Sequence, residues 1–111
     1  MKIINLGRGQ GKTTRLLYAS EFNGCPVVCS TFQQKRHLTD MAKNLGLKIP
    51  EPFCVEELSN EYSVKSGIID KDILVNEAHW VLQALLKNMG MKGEIKAITL
   101  PTDEEVNIWD M

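Results

Sequence analysis

Apolar and polar positions alternate along this chain with two different periods. Ile3-Ile4-Asn5-Leu6 is a short apolar run that ends in glycines. Over 13–22, Leu16, Leu17, Ala19 and Phe22 then recur at largely helical spacing, so the start predicts strand, glycine loop, helix. Asn23-Gly24 breaks that helix, and Pro26-Val27-Val28-Cys29 reads as a second, buried strand running into Ser30 and Thr31. Thr31 with Gln34 three residues on is a capping-box pattern. Leu38, Met41, Ala42 and Leu45 follow at i, i+3, i+4 and i+7, with Gly46 as the stop. Phe53-Cys54-Val55 predicts a short strand, and the polar stretch 56–67 a loop or irregular helix. Ile73-Leu74-Val75 predicts another strand after the turn residues Asp70-Lys71-Asp72. Val81, Leu82, Leu85, Leu86 and Met89 mark one helix face closed by Gly90. Ile95-Lys96-Ala97-Ile98-Thr99-Leu100 predicts a last strand, stopped by Pro101, and Thr102 with Glu105 could cap one more short helix.

Strands separated by helices imply right-handed crossovers and a mainly parallel sheet of four to five strands, covered by helices on both faces. The expected fold is therefore a three-layer α/β domain spanning residues 1–111, without repeats or a linker. Ligands of such sheets bind at the carboxyl ends of the strands. The polar clusters fall there: the glycine loop, Ser30-Thr31, Asn76-Glu77 and Thr99.

Composition narrows the classes. Of the 111 residues 43% are hydrophobic and 24% charged, with a net charge of −1, which suits a globular protein rather than a disordered tail. No apolar run reaches the roughly 18 residues of a membrane span, and no secretory leader precedes the first strand, so a cytoplasmic protein is expected. Near-neutral charge argues against a protein whose main business is coating a nucleic-acid backbone. Cys25, Cys29 and Cys54 have no histidine at zinc-like spacing and read as small buried hydrophobes.

The opening stretch Gly7-Arg8-Gly9-Gln10-Gly11-Lys12-Thr13-Thr14 carries candidate chemistry. Glycines let the backbone approach a phosphate closely, and a helix start directs N–H groups and partial positive charge at it. In the phosphate-loop pattern G-x-x-x-x-G-K-[ST], Lys12 reaches the β- and γ-phosphates and the Thr13 hydroxyl ligates Mg²⁺. The outer glycine of that pattern would fall at position 6, where Leu6 stands, leaving Gly7 to take its role. A ligand-free glycine turn is the plain alternative, but Gly-Lys-Thr opening an amphipathic helix after a buried strand is the context the motif requires.

A second motif sorts among phosphate-loop proteins. Residues 73–80, Ile-Leu-Val-Asn-Glu-Ala-His-Trp, resemble the Walker B strand of helicase-like ATPases, whose apolar run ends in Asp-Glu-Ala-His. Together the motifs resemble a P-loop NTPase of the additional-strand, catalytic-glutamate division, with a RecA-like core as in DEAH helicases and phage terminase motors. The likeness runs from Lys2 to Thr102. It implies that Glu77 activates the attacking water and that Asn76 stands where an aspartate holds Mg²⁺ through water. An amide oxygen can still accept from a metal-bound water but brings no charge. It also implies a sensor role for Thr99, on a strand between the glycine-loop strand and the Asn76-Glu77 strand. Gly-Arg-Gly is similar to terminase loops, so Arg8 either reaches the phosphates from within its own subunit or is a solvated loop residue. His79 matches the last position of the box or merely packs.

What is missing trims the family's range. A helicase needs a second lobe and a terminase a nuclease domain, and neither fits within 111 residues. Arg8, Arg15 and Arg36 are the only arginines, too few and too early for a kinase lid. No guanine-reading Asn/Thr-Lys-x-Asp stretch occurs, which favours ATP. The resemblance implies an ATP- and Mg²⁺-dependent accessory ATPase of phage or plasmid DNA metabolism, slow by itself, working in a bacterial cytoplasm with a protein partner or further copies of itself. The rival expectation is a non-hydrolysing ATP-binding module silenced by Asn76. Lys35-Arg36-His37 reads either as a weak nucleic-acid contact or as a solvated helix face. Trp80 and Trp109 read as packing residues, Trp109 alternatively as an interface residue. Asp70 and Asp72 shape a turn unless one replaces the missing carboxylate.

Overall fold

The computed structural model describes residues 1, 3–4, 11–58 and 67–100. Its elements in chain order are α1 (Lys12–Asn23), β1 (Val27–Cys29), α2 (Phe32–Asn44), β2 (Phe53–Cys54), α3 (Val55–Leu58), a 3-10 turn (Ile68–Asp70), β3 (Leu74–Val75) and α4 (Ala78–Asn88). The strands form one parallel sheet in the order β2-β1-β3, with Val28 opposite Phe53 and Val75, and Cys29 opposite Cys54.

The alternation of β1 sets the layers. Val27 and Cys29 join Leu16 and Leu17 of α1, Leu38 and Ala42 of α2 and Cys54 of β2 in one core cluster, with Ile4, Met41 and Leu74 packed against it. Val28 joins Val55 of α3 and Val81 of α4 in a second cluster. A central strand buried on both faces carries no polar side chain, as Val-Val-Cys shows.

Local signals place the helix ends. The Thr31 side chain accepts from the Gln34 N–H at 3.2 Å, the predicted cap of α2. Gly24 closes α1 at φ 68°, in the left-handed region that glycine enters without strain, and its N–H donates to Ser20 O. The Ser20 hydroxyl in turn donates to Cys25 O at 2.7 Å, which satisfies a buried polar group on the apolar face of α1.

One predicted strand is not formed among the described residues, and another falls half outside them. Ile3 and Ile4 lie outside any strand, with Asn5 and Leu6 beyond the described residues. Nor does 95–100 join the sheet, which has three strands there instead of four or five. At the start of the segment the competitor is local: Gln83 of α4 takes the Ile95 N–H that a ladder would use. Its Oε1 accepts the Ile95 N–H at 2.7 Å and its Nε2 donates to Gly93 O at 3.2 Å, while Lys87 pairs with Glu94 at 3.0 Å. The segment thus runs back along α4, with Ile98 and Leu100 exposed. The predicted cap at Thr102 and Glu105 lies outside the described residues, as does most of 56–67. Among the described residues no helix is long and apolar enough to cross a membrane.

The three cysteines are free thiols; Cys29 and Cys54 are fully buried, as expected of small buried hydrophobes, whereas Cys25 is only half-buried. Burial, with the nearby Cys54 and Glu57, pushes the Cys29 thiol up to about 11, and burial also raises Cys54. The thiolate is the reactive form. In the native protein at neutral pH a thiol reagent should therefore modify Cys25 alone, and all three should react in denaturant. Fast modification of two or more native thiols would contradict this packing.

Candidate functional site

Two chain segments meet at the carboxyl end of the sheet. Gly11, at φ 74°, turns the chain into α1 and provides no side-chain cap, so the first turn of the helix opens with Lys12 and Thr13. On the other side β3 pairs with β1, and the ladder continues one step through the Asn76 N–H to Val28 O at 3.0 Å. This fixes Asn76, 7% exposed, directly beyond the strand. Glu77 follows in the left-handed region, φ 55° and ψ 66°, the only non-glycine residue with positive φ among those described. That turn starts α4 at Ala78.

Side chains 63 positions apart in sequence are in contact there. The Thr13 hydroxyl donates to Asn76 Oδ1 at 3.3 Å. Lys12 Nζ lies 3.2 Å from Glu77 Oε1, the lysine side chain 41% and the glutamate 18% exposed. His79 Nδ1 stands 3.6 Å from Glu77 Oε2, and its ring is tilted against Trp80 with centroids 5.2 Å apart. Beside these groups is an open cavity of about 500 Å³ lined by Gly11, Lys12, Thr13, Thr14 and Met41, and by Glu77, His79 and Trp80 across from them.

Chemically the arrangement offers an ammonium, a hydroxyl, an amide oxygen and a carboxylate at the start of a helix. An anion would find Lys12 and the α1 N-terminus. Among the described residues no three His, Cys, Asp or Glu side chains are placed to hold a metal. The Thr13 and Asn76 oxygens are uncharged. That donor set suits a hydrated magnesium ion held mainly by phosphate oxygens, and does not suit a cation caged by protein alone.

Other predicted residues are placed differently. Gly7, Arg8, Gly9, Gln10 and Trp109 lie outside the described residues. Thr99 is exposed in the segment pinned along α4 and does not line the cavity. Lys35 is no free basic residue for nucleic acid, because it is held by Glu51 at 2.9 Å and Glu57 at 3.0 Å. Arg36 and His37 remain exposed. Asp70 and Asp72 sit exposed in the turn before β3, away from the cavity lining.

Trp80, expected to pack, is 47% exposed and forms part of the cavity wall. Met41 joins the wall from α2, and sequence reasoning assigned it only to the core face of its helix. A helix stripe shows which residues face inward but not which of them reach a neighbouring site, so no signal singled Met41 out.

No protein-family model matches the chain, and searches of curated proteins and of solved structures find no match.

Proposed function

We propose that this protein binds ATP with Mg²⁺ in the cavity between α1 and the β3–α4 junction and hydrolyses it slowly. The observation that carries the reading is the meeting of Lys12 and Thr13 with Asn76 and Glu77 at the end of a parallel sheet. Its sequence support is the resemblance to P-loop NTPases of the catalytic-glutamate division.

Each residue has a definite task in this reading. The first turn of α1 and Lys12 hold the phosphates, and Lys12 offsets the charge that develops as the γ-phosphoryl group leaves. Thr13 and Asn76 hold the hydrated cation, which when bound screens the phosphate oxygens. Glu77 accepts a proton from the attacking water, leaving hydroxide oxygen to form the new P–O bond as the bond to ADP breaks. Arg8, Gly7, Gly9 and Gln10 complete the phosphate loop, and Thr14 lines it.

The reading also includes a larger sheet than the three strands described. β3 has its second edge unpaired among those strands, and Val75 on it is exposed. The segment 95–100 returns antiparallel to α4, the direction a right-handed crossover needs to add a parallel strand beside β3. If 95–100 exchanged its Gln83 contact for pairing with that edge, Thr99 would come toward Glu77, and 3–6 would lie beyond it in a RecA-like core. Service as an accessory ATPase of phage or plasmid DNA metabolism, with a partner or further copies supplying an arginine, is the context the resemblance suggests.

One observation favours a second reading, an ATP-binding module without turnover: Asn76 stands against Thr13 with no charge to hold a cation. Phosphate release and nucleotide binding, measured together for the native protein and Lys12→Ala, separate the two. Turnover that Lys12→Ala abolishes supports the enzyme, binding without turnover supports the module, and neither binding nor turnover by native protein refutes both.

A further inference from the structure

We infer that Glu77 competes with the ligand's phosphates for Lys12, so that the site's affinity is set by an internal carboxylate. This rests on the nucleotide reading above and adds to it a mode of regulation. Lys12 Nζ and Glu77 Oε1 stand 3.2 Å apart in the pocket where an anion would sit. The contact therefore occupies the anion's partner before a ligand arrives.

The backbone at Glu77 is strained. It holds a left-handed conformation that a residue with a Cβ enters at a cost, and such conformations persist only where surrounding contacts impose them. The contacts here are the Glu77 carbonyl, which accepts from the Trp80 and Val81 N–H groups, with Lys12 on one carboxylate oxygen and His79 near the other. Thr13 and Asn76 form a parallel link between the same two segments. A phosphate that draws Lys12 away removes one of these restraints on Glu77.

Competition has a quantitative signature. If only the fraction of molecules with a free Lys12 binds, the apparent affinity of every ligand that needs Lys12 is reduced by that same fraction. Simple repulsion between Glu77 and the ligand would act differently, falling hardest on the ligand whose charge comes nearest, a triphosphate more than a diphosphate.

The test is calorimetric binding of Mg·ADP and of a non-hydrolysable Mg·ATP analogue to native protein, Glu77→Gln and Glu77→Asn. Asparagine tolerates the left-handed region, so the second variant keeps the turn if glutamine does not. Both ligands are expected to bind roughly three- to tenfold tighter to the variants, and by the same factor. Thermal stabilities of Lys12→Gln, Glu77→Gln and the double variant without nucleotide should be non-additive, since either single change breaks the pair. A gain confined to the triphosphate analogue, additive stabilities, or unchanged affinity in a protein that does bind nucleotide would overturn the competition and leave the nucleotide reading standing. Failure of native protein and all variants to bind either ligand would overturn the nucleotide reading, and the competition with it.

Discussion

Lys35→Met is expected to destabilise the protein by about 2–4 kcal/mol, below the roughly 3–5 kcal/mol for breaking a fully buried ion pair from one side because Glu51 is 57% exposed. Lys35 leaves the first turn of α2, passes over the Phe53 ring with Nζ 5.7 Å from its centroid, and ends between Glu51 and Glu57. The Lys35 side chain is 17% exposed and that of Glu57 10%. Glu57 also accepts the buried Cys54 N–H at 3.2 Å, which ties α3 to the edge strand β2. Removing the cation leaves a desolvated carboxylate beside the sheet, whereas an exposed pair would cost under about 1 kcal/mol. Urea unfolding followed by circular dichroism measures the difference, and a loss below that limit would class the cluster as surface charge.

The same cluster gives the effect a pH dependence. Burial by itself would lower the Lys35 pKa, but the hydrogen bonds and charges of Glu51 and Glu57 outweigh it and raise the group above its ordinary 10.5. A raised cation stabilises the fold fully below the unfolded value and loses that contribution as the pH climbs through the native one. The gap between native protein and Lys35→Met should therefore hold at neutral pH and close in the alkaline range above 10.5.

Lys35 also illustrates why the sequence was legible in some places and silent in others. Helices α1, α2 and α4 were readable because their information is local: an apolar stripe, the Thr31 cap, and glycines where the chain must turn left-handed. β1 was readable as an apolar run too short to be a helix. The partners of Lys35 lie 16 and 22 residues away, and no local pattern tells a lysine that meets them from one that meets solvent. The segment 95–100 failed for a related reason. Its alternation is compatible with a strand, yet pairing is decided by what competes for its backbone, and the Gln83 amide wins at Ile95. At the site, Lys12, Thr13, Asn76 and Glu77 were legible because each stands at the end of an element that its own neighbours define. Their distances were not, because a 3.2 Å contact depends on how α1 and α4 pack on opposite sides of β1.

Asn76→Asp should accelerate phosphate release from Mg·ATP by about tenfold or more, the largest change in activity expected of any single substitution that adds function here. The position suits a carboxylate in geometry but not in electrostatics. Asn76 is buried, its N–H is fixed by Val28 O, and its side-chain oxygen already faces the Thr13 hydroxyl. Replacing that oxygen by a charged one keeps the hydrogen bond and adds the negative charge that a divalent cation lacks among its protein partners. The same charge is costly when nothing neutralises it, because burial penalises an ionised carboxylate. The variant should thus melt below native protein in chelator and regain stability with Mg²⁺ and nucleotide by more than native protein does, as ligand binding to the folded state requires. Stability is the more telling readout, since it reports cation binding whether or not turnover follows. Equal Mg²⁺-dependent stabilisation of the two proteins would mean that the cation does not sit against position 76, and that Thr13 and the phosphates hold it without help from β3.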